Sequence, residues 1–329
     1  MKKSKLFSVI MAGIMVTLSL SGCSNSKSSS QSSVKDYPNK TLQILVAYKA
    51  GGGTDVGARI LASAAQKEFG KSIIIVNKPG SDGELGFTET CKAKPDGYTI
   101  GFINLPTFVA LPQQRKTSYS ASDVVPIMNF VFDSTVLVVR ANDTRFNTLE
   151  DFVKYAKAHP SEINVSNNGT GASDHLAAAN LCNKADIKVT HVPFGGSADM
   201  LAALRGKKVD ATVAKISETA TLVKSGELKI LASFTQDRLT DFPNVPTLTE
   251  KGYPIVDGSA RALVAPKGTP KEIITKLHDI FKAAMETQDL KDKAAKINLP
   301  LKYMGPQDLQ KYMDTSAKDA KETLKLIGQ

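Results

Sequence analysis

The chain has 329 residues, 42 Lys+Arg against 32 Asp+Glu, a formal net charge of +10, no tryptophan and three cysteines. Three of the lysines crowd the extreme N-terminus and the rest are spread over helical faces with few interleaved aromatics, which argues against a nucleic-acid partner. The four histidines, His159, His175, His191 and His278, show no metal-ligand spacing, so neither a metal nor a cofactor is expected.

Lys2, Lys3 and Lys5 precede an apolar run from Leu6 to Leu20, the pattern of a signal peptide and too short for a membrane span. The run ends in "LSGC", which resembles the lipobox of bacterial lipoproteins, so residues 1–22 are expected to be a leader and Cys23 a lipidated anchor. Residues 23–36, with "SNSKSSSQSSVKD", are polar and low in complexity and are expected to form a flexible tether. Roughly 290 residues remain, room for two α/β domains of ordinary size.

From Leu42 onward, short apolar runs alternate with amphipathic ones. "LQILVAY" is followed by a helix ending at Gly70, then by "SIIIVNK", the helical "GELGFTETCKAK", and "YTIGFIN". Beyond Arg140 come helical "TLEDFVKYAKAHP", "INVSNNG", a helix from Asp174, "KVTHVPF", a helix from Ala198 to Arg205, "VDATVA", a helix ending near Gly226, and "LKILASF". Such alternation predicts βα units with parallel strands, in two similar runs. The C-terminal third reads as helical, with a capping box at Thr269 and Glu272 and a last helix starting near Gln307. Cys91 and Cys182 fall on helix faces in different halves and are expected to be unpaired thiols.

Ligands of open α/β sheets sit beyond the carboxyl ends of strands, so the turns there are the candidate sites. Four are unusual: Lys49 to Thr54, Asn77 to Gly86, Ser166 to Leu176, and "HVPFGGSADM" with Ser197 as expected N-cap. In the second, Gly80 and Gly83 permit a tight turn and Ser81 or Asp82 can cap. Glycines before a helix N-terminus bring backbone N–H donors to an anion. "AGGGTDVGAR" lacks the Gly-Lys-Ser/Thr ending of a phosphate loop and "GTGASD" lacks the third glycine of a dinucleotide fingerprint, so a carboxylate is the expected anion.

The ordered blocks "YPNKTLQILVAYKAGGGTDVGARILA", "VNKPGSDGELG", "AKPDGYTIGF", "VSNNGTGASDHLAAA", "VTHVPFGGSADMLAAL", "GKKVDATVA", "FPNVPTLTEKGY" and "VAPKGTP" resemble the tripartite tricarboxylate transporter receptor, or Bug, family over the whole mature chain. The resemblance implies an α/β, two-lobe periplasmic-binding-protein fold (type II, Venus flytrap), with lobe 1 from 37–136 and 260–329 and lobe 2 from 137–259. It further implies an extracytoplasmic, lipid-anchored monomer without catalysis, whose partners are a small carboxylate and a two-component membrane permease. The candidate binding set is Tyr48, Lys49, Gly52, Gly53, Thr54, Asp55, Ser81, Asp82, Gly83, Asn104, Thr107, Asn168, Gly169, Thr170, Gly171, Ser173, His175, Phe194, Gly195, Lys215 and Arg261.

Three departures from the family pattern bear on the ligand. Ala47-Tyr48-Lys49-Ala50 replaces a Pro-Phe-x-Pro stretch, Val213-Ala214-Lys215 replaces a Phe-Asp-Asn-like triplet, and Ala260-Arg261 replaces an aromatic. The usual acidic partner for a ligand amine is missing while three cations become available, which favours di- or tricarboxylates over amino acids. Two other classes remain: a receptor presenting its ligand to a sensor kinase, and a hydrolase using Ser166, Ser173 or Ser197 with His175 or His191. The second lacks a G-x-S-x-G elbow, and Asp174-His175 opens a helix, where capping is the expected role.

Overall fold

The computed structural model describes residues 36–326; the leader, Cys23 and the tether to residue 35 lie outside the described residues. Ten strands form two mixed sheets that share one long strand, β4 (Val124–Arg140). In the first sheet β1 (Leu42–Val46) lies between β2 (Ile73–Asn77) and β3 (Thr99–Leu105), all parallel. Next to β3 runs antiparallel β9 (Gly258–Pro266), then β4, whose other neighbour is the short β10 (Leu301–Met304). Pairing with β9 ends at Ser134↔Gly258, and at Thr135↔Lys215 the same strand begins to pair with β7 (Ala211–Lys215) of the second sheet. That sheet is completed by β8 (Leu228–Ser233) on β4 and by β5 (Asn164–Asn167) and β6 (Thr190–Pro193) beyond β7.

Between the strands run α1 (Gly53–Phe69), α2 (Glu84–Lys92), α3 (Thr107–Gln114), α4 (Leu149–Ala158), α5 (Ser173–Ala185), α6 (Ser197–Arg205) and α7 (Ile216–Lys224). Parallel neighbours need such crossovers, and the crossovers cover the sheet faces with apolar stripes. Phe87, Phe108 and Tyr119 fill one core, and Phe146, Phe152 and Val213 fill another. After β9 the chain adds α8 (Lys271–Glu286), α9 (Gln288–Lys296) and α10 (Pro306–Leu326). Ala320 and Leu324 near the end of α10 pack with Ala110 of α3 and Leu176 of α5, so the last helix ties both halves together. Among the described residues no helix is long and apolar enough to cross a membrane.

Three capping expectations fail. Thr269 gives its hydroxyl to the Pro266 carbonyl, and Pro270 occupies the N-cap of α8. Gly196 is the N-cap of α6, which makes Ser197 its first helical residue. Ser81 and Asp82 form a left-handed kink at φ 48° and 58°, and neither caps α2. Cys91 and Cys182 are both free and half-buried on α2 and α5, with burial pushing each thiol up to about 12.

Candidate functional site

The carboxyl ends of β1, β3, β5 and β7 and the start of β9 face a common cavity of about 600 Å³. On one side the loop after β1 enters α1 at Gly53. Asp55 holds that loop, accepting from the Gly51 N–H at 2.9 Å, from Arg59 at 3.0 Å and from Asn77 at 2.9 Å. Burial alone would raise the Asp55 pKa, but these donors, Arg59 foremost, keep it below the ordinary carboxylate value. Thr54 shares a hydrogen bond of 2.9 Å with Asn104 at the end of β3.

Arg261 comes from the middle of β9, a strand buried along its whole length, and is itself 2% exposed. Its Nη2 donates to Asp133 of β4 at 2.7 Å, while Nε and Nη1 have no partner among the described residues. A β-carbon on Gly53 would lie 3.0 Å from Nη2 and 3.2 Å from Nη1. The glycine loop therefore makes room first for a guanidinium, which stands against the positive end of α1.

Lys215 ends β7 and is 3% exposed. Its Nζ reaches Thr135 at 2.6 Å, Asp174 at 2.7 Å and Asp257 at 3.7 Å. Burial pulls the ammonium down, but Asp174 and Asp257 more than offset it, so Lys215 stays charged. Glu218, three residues on in α7, accepts from the Lys215 N–H at 3.3 Å and lies 4.0 Å from Arg261 Nη2. Burial, then Asp174, pushes Glu218 up to about 7; Asp174 and Asp257 are also raised by burial. Two of the three cations expected to be available are thus already paired, and acidic groups stand in and behind the cavity wall.

The geometry is that of a polar pocket between two α/β halves; of the serines considered from the sequence, Ser173 bonds Asn168, and Ser166 bonds Thr212 behind the wall. His175 accepts from the Gly171 N–H through Nδ1 at 2.8 Å. Residues 57–328 match the family model described as "Tripartite tricarboxylate transporter family receptor". The chain belongs to this receptor family. The "UPF0065 protein in gbd 5'region" of Cupriavidus necator is 33% identical over 299 residues, 91% of this chain and 90% of that protein. An R. palustris protein solved with adipate superposes at a TM-score of 0.82 with 26% identity, covering 89% of this chain and 99% of that one. MatC from Rhodopseudomonas palustris with bound malate gives 0.79 and 25%, covering 87% and 99%.

Of the sequence-predicted residues, this receptor brings Tyr48, Lys49, Gly52, Gly53, Thr54, Asn104, Thr107, Asn168, Ser173, Gly195, Lys215 and Arg261 to the cavity. It places Asp55, Ser81, Asp82, Gly83, Gly169, Thr170, Gly171, His175 and Phe194 outside the lining. Several of these hold the lining in place: Asp55 clamps the first loop, His175 the third, and Arg115 ties Asp82 at 3.3 Å. Gly171 accepts from Gln114 Nε2 of α3 at 2.9 Å, a contact between the two halves. Sequence reasoning missed Ser217, Glu218 and Ser259 in the lining and Asp133 behind it. Two signals pointed there: a lone aspartate within the apolar run "VVPIMNFVFDSTVLVVR", and Lys215-x-x-Glu218 at a strand end without glycine.

Proposed function

We propose that this receptor is an exported, lipid-anchored monomer that captures a small organic carboxylate and delivers it, unchanged, to a two-component permease of the tripartite tricarboxylate type. The observation that carries the reading is Arg261: a guanidinium 2% exposed, lining the cavity, with Nε and Nη1 unpartnered among the described residues. The unpartnered Nη1, alone or with the second hydrogen of the adjacent Nη2, is a planar donor suited to a carboxylate, and leaving it desolvated and unfilled is costly. The N-terminus of α1 beside them favours the same charge. With Lys215 committed to Asp174, the exposed Lys49 on the lining is the remaining cation, which favours a dicarboxylate over a tricarboxylate. Adipate and malate, bound by two structural relatives, are of that class.

In this proposal residues 37–136 and 260–329 form one lobe and 137–259 the other, and the ligand is gripped by loops of both. The signal and lipidation at Cys23 would hold the protein at the outer face of the membrane, within reach of its permease. A thermal-shift and calorimetric panel of dicarboxylates, tricarboxylates, aromatic acids and amino acids tests the reading. Saturable stabilisation by dicarboxylates, with the ligand recovered intact, is expected; no stabilisation by any carboxylate would refute it.

A further inference from the structure

The cavity wall and the layer of side chains behind it together hold more carboxylates than cations. Asp133 of β4, Asp174 of α5, Glu218 of α7 and Asp257 before β9 stand against Lys215 of β7 and Arg261 of β9, and the rim adds Lys49 and Asp199. Three of the four have a close hydrogen-bonding partner with a free hydrogen. Asp133 takes Arg261 and the Ser217 hydroxyl and N–H, Asp174 takes Lys215, and Asp257 takes Thr135. Glu218 differs. Its side chain is 15% exposed, lines the cavity, and has only the Lys215 N–H within hydrogen-bond distance, with the nearest guanidinium nitrogen at 4.0 Å.

A ligand carboxylate drawn to the unpartnered Nη1 of Arg261 joins the guanidinium that Asp133 already uses through Nη2 and Glu218 borders. Two carboxylates sharing one small site cannot both remain ionised at little cost, so one of them binds a proton. Of the two, Glu218 is the group whose environment already favours the acid form, because burial and the charges of Asp174 and Asp133 outweigh Arg261. Resting on the carboxylate reading of the cavity, we propose that Glu218 is a specificity-determining residue that takes up a proton from solvent as the ligand binds and, as a neutral acid, donates a hydrogen bond to the ligand carboxylate. The bound receptor then holds one dicarboxylate beside a protonated Glu218, and the proton comes from solvent to the extent that Glu218 is ionised before binding. An amine-bearing ligand would do the opposite, pairing its ammonium with an ionised Glu218 and expelling the proton.

Calorimetry of malate binding near pH 7, in two buffers of different ionisation enthalpy, measures the proton count, because malate is itself fully ionised there. Net uptake of roughly half a proton is expected, with affinity falling roughly five- to tenfold from pH 6 to pH 8. Glu218→Gln, which keeps the shape and a donor, should bind malate with no proton exchange and a flat pH profile. Zero exchange, proton release, or unchanged uptake in Glu218→Gln would overturn the proposal while leaving the carboxylate reading intact. If no carboxylate of the panel binds, the carboxylate reading itself falls. A ligand-free measurement then judges Glu218 alone: carbon NMR of labelled glutamate carboxyls should show one group titrating near neutrality that vanishes in Glu218→Gln, and its absence contradicts the proposal.

Discussion

Gly53, Arg261 and Lys215 have distinct duties, and single substitutions separate them. Gly53 opens α1, where alanine is intrinsically the better helix former by about 1 kcal/mol, but its methyl would sit 3.0 Å from the Arg261 guanidinium. Gly53→Ala is therefore expected to leave thermal stability within a few degrees and to weaken malate binding by tenfold or more. Gly52→Ala, whose methyl would meet no protein atom nearer than the Lys49 carbonyl at 3.6 Å, leaves Arg261 undisturbed and should weaken binding only by crowding the cavity, less than Gly53→Ala does. Calorimetry on the pair checks the contrast. Thr54→Ala removes a directed donor beside the α1 N-terminus, and a charge-assisted hydrogen bond typically contributes about 1.5–3 kcal/mol, again a loss of roughly tenfold or more. Lys215→Ala belongs to a different class. It leaves Asp174, 1% exposed, without its cation, and breaking such a buried pair costs about 3–5 kcal/mol. Urea unfolding should show that loss, and Asp174→Asn in the same chain should recover part of it.

At the scale of the element, α5 and its entry loop are tuned by a neutral imidazole. His175 accepts the Gly171 N–H, and burial, reinforced by His191, lowers its pKa to about 4. The folded value lies below the unfolded one near 6.5, so the contribution is full above pH 6.5 and is lost as pH falls toward 4. By linkage that amounts to about 1–3 kcal/mol. Glu218 tilts the other way: raised to about 7, it favours the folded state fully below pH 4.5 and loses that contribution as pH rises through 7. Urea titrations at pH 4.5, 6 and 8 should show the acid slope shrinking in His175→Gln and the alkaline slope shrinking in Glu218→Gln. The elements themselves were largely legible, because apolar runs and glycine stops such as Gly70, at φ 72°, mark strand and helix ends locally. What sequence did not show was partnership across the fold. Arg261 and Asp133 are 128 residues apart and Lys215 and Thr135 are 80 apart, and no local pattern announces such pairs. The glycine search led to the loops of the site and past Glu218, whose turn contains no glycine.

For the whole molecule, β4 passing from one sheet to the other and α10 resting on both halves set the two sides of the cavity against each other. One contact between the two sides is polar and close to the site. Gln114 Nε2 donates to the Gly171 carbonyl, and a β-carbon at Gly171, where φ is 71°, would be strained and would push the Gln114 side chain out of this contact. A ligand gripped from both sides binds the closed arrangement better and shifts the population toward it. Small-angle scattering should therefore show a smaller radius of gyration with saturating malate than without, and Gln114→Ala should weaken affinity several-fold without lowering the unfolding midpoint. The central claim is narrower than closure: a carboxylate is held by the Arg261 guanidinium, through its unpartnered Nη1, beside the N-terminus of α1. Titration calorimetry of malate against Arg261→Lys tests it most directly, because lysine keeps the charge on Asp133 while removing the planar fork. The account predicts a stable protein whose affinity for malate falls at least tenfold; a stable Arg261→Lys protein with unchanged affinity would contradict it.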